Sequence, residues 1–440
     1  MSQNGKSDAS DGSSAIGKIN LRILPFLFFV IFAAFVDRTN VSYAALPMSS
    51  HLGLTASMFG FGAGIFFLGE ALFSVPSTMA ARRAGVHKWI PLLMVGWGTC
   101  ASAMAFVTRP VAFYVLRFLL GVAEAGVMPS MILAAALWWP ESHRARVITG
   151  ITSGTGVAMV VGAPLAAVLI EIEGALDLAG WRWLFLLEGL PVIAVGLVAL
   201  LVFPADPQSA RWLSQSQKHW LARQMQGDAA RRSEPGDDAP LPLSSHLDLL
   251  LVAALLNFSA AGAIATLGFW LPQIGQQSLG YSLGDVGRLL APLYFVGIGL
   301  AYVVSHVSDR RRSRYPIVAG CSVGTAAIIA VSTSLGTTVT AFVLLVIASL
   351  VARCMGGVFM AAISEDMTGR IAGKGLGIVM ISAAIGMFCG NWVFGVLRDV
   401  SDGFGAGLGA LMTVACLCAL YLERRRARSQ KWHFRPPVVD

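Results

Sequence analysis

Charge is scarce in this chain: 13% of its 440 residues are Asp, Glu, Lys or Arg, while 56% are hydrophobic. So few solvated groups exclude an ordinary soluble domain. Acids are the scarcer sign, 24 against 32 Lys and Arg, for a formal net charge of +8. The six cysteines (Cys100, Cys321, Cys354, Cys389, Cys416 and Cys418) all fall in apolar stretches without metal-ligand spacing. They read as small packing residues, which excludes a disulfide scaffold and a metal centre. No phosphate loop or HExxH occurs, and His51, His143 and His306 are isolated. An enzyme is therefore not expected, and no cofactor is called for. A cleaved signal peptide is not expected either, because the first apolar run is too long and carries Asp37 and Arg38.

What the chain has in abundance is long apolar runs. Twelve read as membrane spans: 22–47, 58–80, 88–108, 111–136, 146–170, 181–203, 247–274, 285–306, 315–334, 339–362, 375–397 and 405–423. Each approaches the roughly 20 residues that a helix needs to cross a bilayer. The expected fold class is thus an all-α membrane protein of twelve transmembrane helices in two six-helix, pseudo-symmetric halves. The polar, Pro-punctuated stretch between spans 6 and 7 divides the chain. The expected organisation is a disordered N-terminus 1–20, a first half 21–203, a linker 204–245, a second half 246–424 and a basic tail 425–440. Within the linker, Ser209 to Met225 could form an amphipathic surface helix. Basic turns at Arg82-Arg83 and Arg310-Arg311-Arg312 occupy matching places in the two halves, as in a duplicated unit with its site near the midplane.

The positive charge might suggest nucleic acid, but its distribution excludes that partner. With a cytoplasmic N-terminus, 25 of the 32 Lys and Arg fall on the cytoplasmic side of this topology. That bias places a multi-pass protein in the plasma (inner) membrane with both termini in the cytoplasm. The bilayer is its one macroscopic partner, and a monomer is expected.

A charged side chain at mid-membrane costs at least about 2.5–3.5 kcal/mol, so those inside the spans stand out. Asp37 and Arg38 are adjacent in the first span, LRILPFLFFVIFAAFVDRTNVSYAAL. They diverge by about 100° around a helix and do not easily share a target. Asn40 lies one turn from Asp37. Arg117 and Glu124, seven residues apart, share one face about 10 Å apart along the axis. Glu70 and Glu188 are further buried acids; Glu188, near a span end beside Gly189, reads as structural. Arg353 is the deep cation of the second half, with function and bridge equally open. Asn391 could bond across helices or to substrate. Trp138, Trp139, Trp181 and Trp183 read as interfacial belts. Acids and arginines buried together suit the movement of a charged solute.

Several of these segments resemble the anion:cation symporters of the major facilitator superfamily. They are Leu24-Pro25-Phe26 with Asp37-Arg38-Thr39-Asn40-Val41-Ser42, Gly64 to Gly69 leading to Val75-Pro76-Ser77, Arg117-Phe118-Leu119-Leu120-Gly121-Val122-Ala123-Glu124-Ala125-Gly126, and Trp183 to Pro191. In the second half, Phe269-Trp270-Leu271-Pro272 and Ser308-Asp309-Arg310 resemble it less specifically. That family includes importers of sugar acids, tartrate, phthalate and hydroxyphenylacetate, and vesicular organic-anion carriers. The resemblance implies proton-coupled transport of a carboxylate. It implies Asp37 and Glu124 as proton carriers, Arg38 at the central cavity, and Arg117 engaging substrate or the acids. The chain departs from the family at Glu70 (usually Tyr), Thr155 (often an amide), Ala383-Ala384 (a Gly-Asn pair) and Asn391 (usually Pro). These positions, Glu70, Thr155 and Asn391 among them, would read substrate hydroxyls. The departures count against a sugar acid and leave an aromatic or less hydroxylated acid open. The expected activity is import of a small organic acid with protons by alternating access. An anion exchanger or effluxer is one alternative, and a membrane sensor that binds an anion without moving it is another.

Overall fold

The computed structural model describes residues 3–232, 247–311, 314–336, 338–366, 369–400 and 412–425. Among them the regular structure is helical throughout. The order is α1 (Gln3–Arg22), α2 (Leu24–Tyr43), α3 (Ala45–Leu52), α4 (Ala56–Ala84), α5 (Val86–Met104), α6 (Pro110–Glu124), α7 (Val127–Trp138) and α8 (Glu141–Ile170). There follow α9 (Gly180–Val202), α10 (Gln215–Arg232), α11 (Leu247–Leu279), α12 (Leu283–Arg311), α13 (Tyr315–Ser334), α14 (Val339–Asp366) and α15 (Gly369–Val400).

Ten helical stretches among the described residues are long and apolar enough to cross a membrane. Helix α5 stands where the third span was expected, and residues 412–425, also helical, where the twelfth was. Only helices or closed barrels satisfy every backbone group in hydrocarbon. That is why even the helix breakers Pro76, Pro91, Pro164, Pro191, Pro272 and Pro292 lie inside helices here. Large apolar side chains stand outward along these helices, Leu201 at 88% and Val303 at 56% exposure. A surface of that kind belongs in lipid, not water.

By its internal contacts the chain forms two compact units, residues 1–44 with 72–237, and 45–71 with 238–440. In the first, α2 packs on α8 and α5 on α9. A Cβ at Gly189 would lie 2.8 Å from the Gly98 carbonyl oxygen. Small residues thus let α5 and α9 touch backbone to backbone. In the second, α11 packs on α15, where a Cβ at Gly262 would meet the Gly386 oxygen at 2.8 Å. The first half of α4 belongs to this second unit. Gly60 abuts the Asn391 carbonyl, Gly64 the Phe388 backbone and Gly395 the Ala56 carbonyl. Phe59 packs edge-on to Trp270, and Phe67 to Phe269. Helix α4 therefore starts in one unit and ends in the other.

The start of α4 is capped by a residue distant in sequence. Both Asp399 carboxylate oxygens accept hydrogen bonds, from the Ala56 and Ser57 N–H groups, at 2.9 Å each. This satisfies two of the orphan donors at a helix N-terminus and suits its positive end. Asp399→Ala should cost about 0.5–1 kcal/mol, the low end of the range for caps because the site is exposed. Asp399→Asn should keep most of that. Thermal unfolding of the two variants checks this, and equal losses would contradict it.

Most of the segment 1–20, expected as a disordered tail, instead lies in α1, which docks on α10. Ala15, Ile16 and Ile19 are buried, Lys18 Nζ donates to Gln217 Oε1 at 3.1 Å, and Gln217 Nε2 donates to Ser14 Oγ at 3.0 Å. Low hydrophobicity elsewhere in the segment hid this small apolar face. The linker helix lies at Gln215–Arg232 rather than Ser209–Met225, after a turn in which the Ser209 N–H donates to Asp206. The linker's residues 233–245, residue 246 and nearly all of the basic tail lie outside the described residues. Three of the four tryptophans are not surface belts, while Trp183 is half-buried. Trp138, Trp139 and Trp181 are fully buried: Trp138 stacks on Trp212, and Trp139 Nε1 donates to Asn20 Oδ1 at 2.8 Å.

Candidate functional site

Helix α2 is buried around most of its circumference, with Leu27, Val30, Ile31, Val36, Asp37, Asn40 and Val41 all inside. A span so enclosed can carry charge only toward other protein groups. Helix α6 supplies those groups from one face. Arg117 is 0% exposed and Glu124 is 2% exposed, and Glu124 is the last residue of α6 before a turn at Ala125-Gly126. Asp37 is equally buried, at 3%.

These side chains converge. Arg38 Nη2 lies 3.4 Å from Glu124 Oε2. The Asp37 carboxyl interacts with the Glu124 carboxyl, and the Arg117 charge acts on both acids. Asp37 and Arg38 therefore reach one partner, against the expectation from their 100° divergence, because the long arginine chain turns back toward α6. Its guanidinium lies over the Phe35 ring at 5.2 Å.

Glu188 on α9 also belongs here, which its position near a span end did not suggest. Asn40 Nδ2 donates to Asp37 Oδ1 at 2.8 Å and to Glu188 Oε2 at 3.0 Å. One amide thus ties two carboxyls from two helices. Three acids and two arginines meet within the first unit, leaving one negative charge uncompensated when all are ionised. Burying such a charge is costly. Among the described residues, no group of three or more His, Cys, Asp or Glu could hold a metal ion.

Of the other expected residues, Thr155 belongs to the first unit, and Glu70, Asn391 and Arg353 to the second. Thr155, on α8, donates its hydroxyl to the Thr152 carbonyl at 2.8 Å. Glu70 is half-buried and belongs to the second unit. Asn391, also in the second unit, is fully buried and donates to the Met387 carbonyl of its own helix at 2.9 Å. Arg353 lies in the second unit against Gly268, where an added Cβ would come within 2.9 Å of its Nη2, and its Nε has no hydrogen-bond partner.

The Major Facilitator Superfamily model matches residues 27–391. The chain belongs to this superfamily. A protein of Agrobacterium vitis named "Putative tartrate transporter" is 33% identical over 411 residues, covering 92% of this chain and 94% of its own. A "Quinolone resistance transporter" of Acinetobacter baumannii is 29% identical over 428 residues, 96% of this chain and 98% of its own. Among solved structures, a bacterial homologue of the human lysosomal transporter Spinster, in an inward-facing and occupied conformation, superposes with a TM-score of 0.72. It is 18% identical and covers 92% of this chain and 96% of its own. The fold and these relatives make the chain a multi-pass membrane transporter of organic substrates, not an enzyme.

Proposed function

We propose that the protein imports a small organic acid together with protons, as a monomer in the inner membrane with both termini in the cytoplasm. The observation that carries this reading is the buried group itself: Arg38 and Arg117 offer a carboxylate two cations, and Asp37 and Glu124 sit against them. Arg38, with its side chain 20% exposed, is the reachable anchor. Its fork can hold a carboxylate in two parallel, charge-assisted bonds. When the carboxylate takes Arg38, Glu124 loses its ion partner and gains a reason to bind a proton. Substrate and proton then enter together, which is what symport requires. The tartrate name of the Agrobacterium relative supports a carboxylate cargo. The A. baumannii name motivates a second reading, export of an organic anion.

The test is transport by purified protein in liposomes. With an acidic exterior and alkaline interior, a labelled carboxylate from a panel that begins with tartrate should accumulate against its gradient. A protonophore should abolish the accumulation. Glu124→Gln fixes the neutral form, so accumulation should fall at least about tenfold while exchange across the membrane persists. Carboxylates that exchange but never respond to the pH gradient would overturn proton coupling, and a panel without any exchange would overturn the cargo. Export is tested separately. Expression in a drug-sensitive host should leave quinolone tolerance unchanged, and a clear rise would favour the second reading.

A further inference from the structure

We propose that Glu188 is a second proton site of the transporter, with Asn40 the positioning residue that links it to Asp37. The proposal rests on the symport reading above for its purpose, but not for its evidence.

The environment of the three acids is uneven. Arg117 and Arg38 act on Asp37, and Arg38 pairs with Glu124. Glu188 is held instead by a neutral amide, that of Asn40, with the like charge of Asp37 on the same amide. Helices α2, α5 and α8 pack against α9. Their ionisable residues are Asp37, Arg38 and Tyr43 on α2, His87, Lys88 and Cys100 on α5, and Glu141, His143, Arg144 and Arg146 on α8. Of these, Asp37 is the one joined to Glu188 through a shared hydrogen-bond partner, Asn40. With an amide as its hydrogen-bond partner, Glu188 is the acid on which the cluster's uncompensated negative charge can be neutralised by a proton.

A second observation fits the same assignment. Asn40 is fully buried, yet its Oδ1 has no hydrogen-bond partner, and neither does Glu188 Oε1. Both acceptors await a proton. When Glu188 is ionised, the Asn40 NH2 group donates to it and to Asp37, as observed. When Glu188 is protonated, its O–H can donate to Asn40 Oδ1 once the amide turns over. That turn withdraws a donor from Asp37. Protonation of Glu188 is thereby reported to Asp37 through one amide, and the two carboxyls titrate as a coupled pair.

Infrared difference spectra of the purified protein, acid minus alkaline, detect protonated carboxyls without any substrate. Wild type should show a titrating carboxyl band that Glu188→Gln removes and Glu188→Asp shifts in frequency. Asn40→Ala should move its midpoint by about one pH unit, a tenfold change in proton affinity. If Glu188→Gln does not fold, Glu188→Asp protein with 13C-labelled aspartate gives the same answer, since a titrating aspartate band absent from labelled wild type must appear there. Overturning results are a Glu188→Gln spectrum identical to wild type, a band lost equally at every pH, or no added titrating aspartate band in labelled Glu188→Asp protein. Because no transport is measured, a failure of proton-driven accumulation would sink the symport reading and leave this result standing.

Discussion

Arg38→Ala should reduce carboxylate uptake at least about a hundredfold and leave the protein folded. A hydrogen bond to a charged group contributes roughly 1.5–3 kcal/mol, and each 1.4 kcal/mol is a factor of ten in affinity. Two such bonds from one guanidinium therefore carry most of the affinity for a small acid. The fold should survive because the Arg38–Glu124 contact, at 3.4 Å, is long for a charge-assisted pair and the arginine is partly exposed. Arg38→Lys should recover little, since a point charge cannot replace the fork. Binding read by thermal shift, alongside uptake, separates the outcomes. Near-normal affinity in Arg38→Ala would remove Arg38 from the site.

Arg117→Met should do the opposite and act mainly on folding. Arg117 is fully buried, and its charge acts on two buried acids. Removing one partner from a buried ionic group costs about 3–5 kcal/mol, because the remaining charges have neither water nor a counter-ion. Expression of monodisperse protein should collapse. Adding Glu124→Gln removes one stranded charge, so the double variant should regain much of the fold while remaining inactive in proton-driven uptake. Size-exclusion profiles and melting temperatures in detergent read both effects. An Arg117→Met protein melting like wild type would show that the acids need no such counter-ion.

Asp37, Arg38, Arg117 and Glu124 were legible in the sequence because charge inside an apolar run has few bland explanations. Their union was not legible. Helical spacing says which residues share a face, not which neighbouring helix that face meets, nor how far an arginine bends. Glu188 shows the same limit: its nearest partner, Asn40, is 148 positions away. Apolarity likewise found the spans but not the allegiance of residues 45–71, which is settled by glycines whose close approach to α15 only a backbone shows. The buried tryptophans misled because a Trp at the end of an apolar run looks alike whether it faces headgroups or a neighbouring helix.

That allegiance has a consequence for biosynthesis. As the polypeptide leaves the ribosome, α4 is complete long before α11 and α15 exist. Its first half enters the bilayer with Gly60 and Gly64 bare and its N-terminal amides uncapped, waiting for Phe388, Asn391 and Asp399. The first unit can gather its ionic cluster early, since α2, α6 and α9 are all made before the linker. The second unit cannot close until the end of translation. A nascent chain halted in the linker would hold the charged group assembled and still present, in residues 45–71, an orphaned surface for quality control to find.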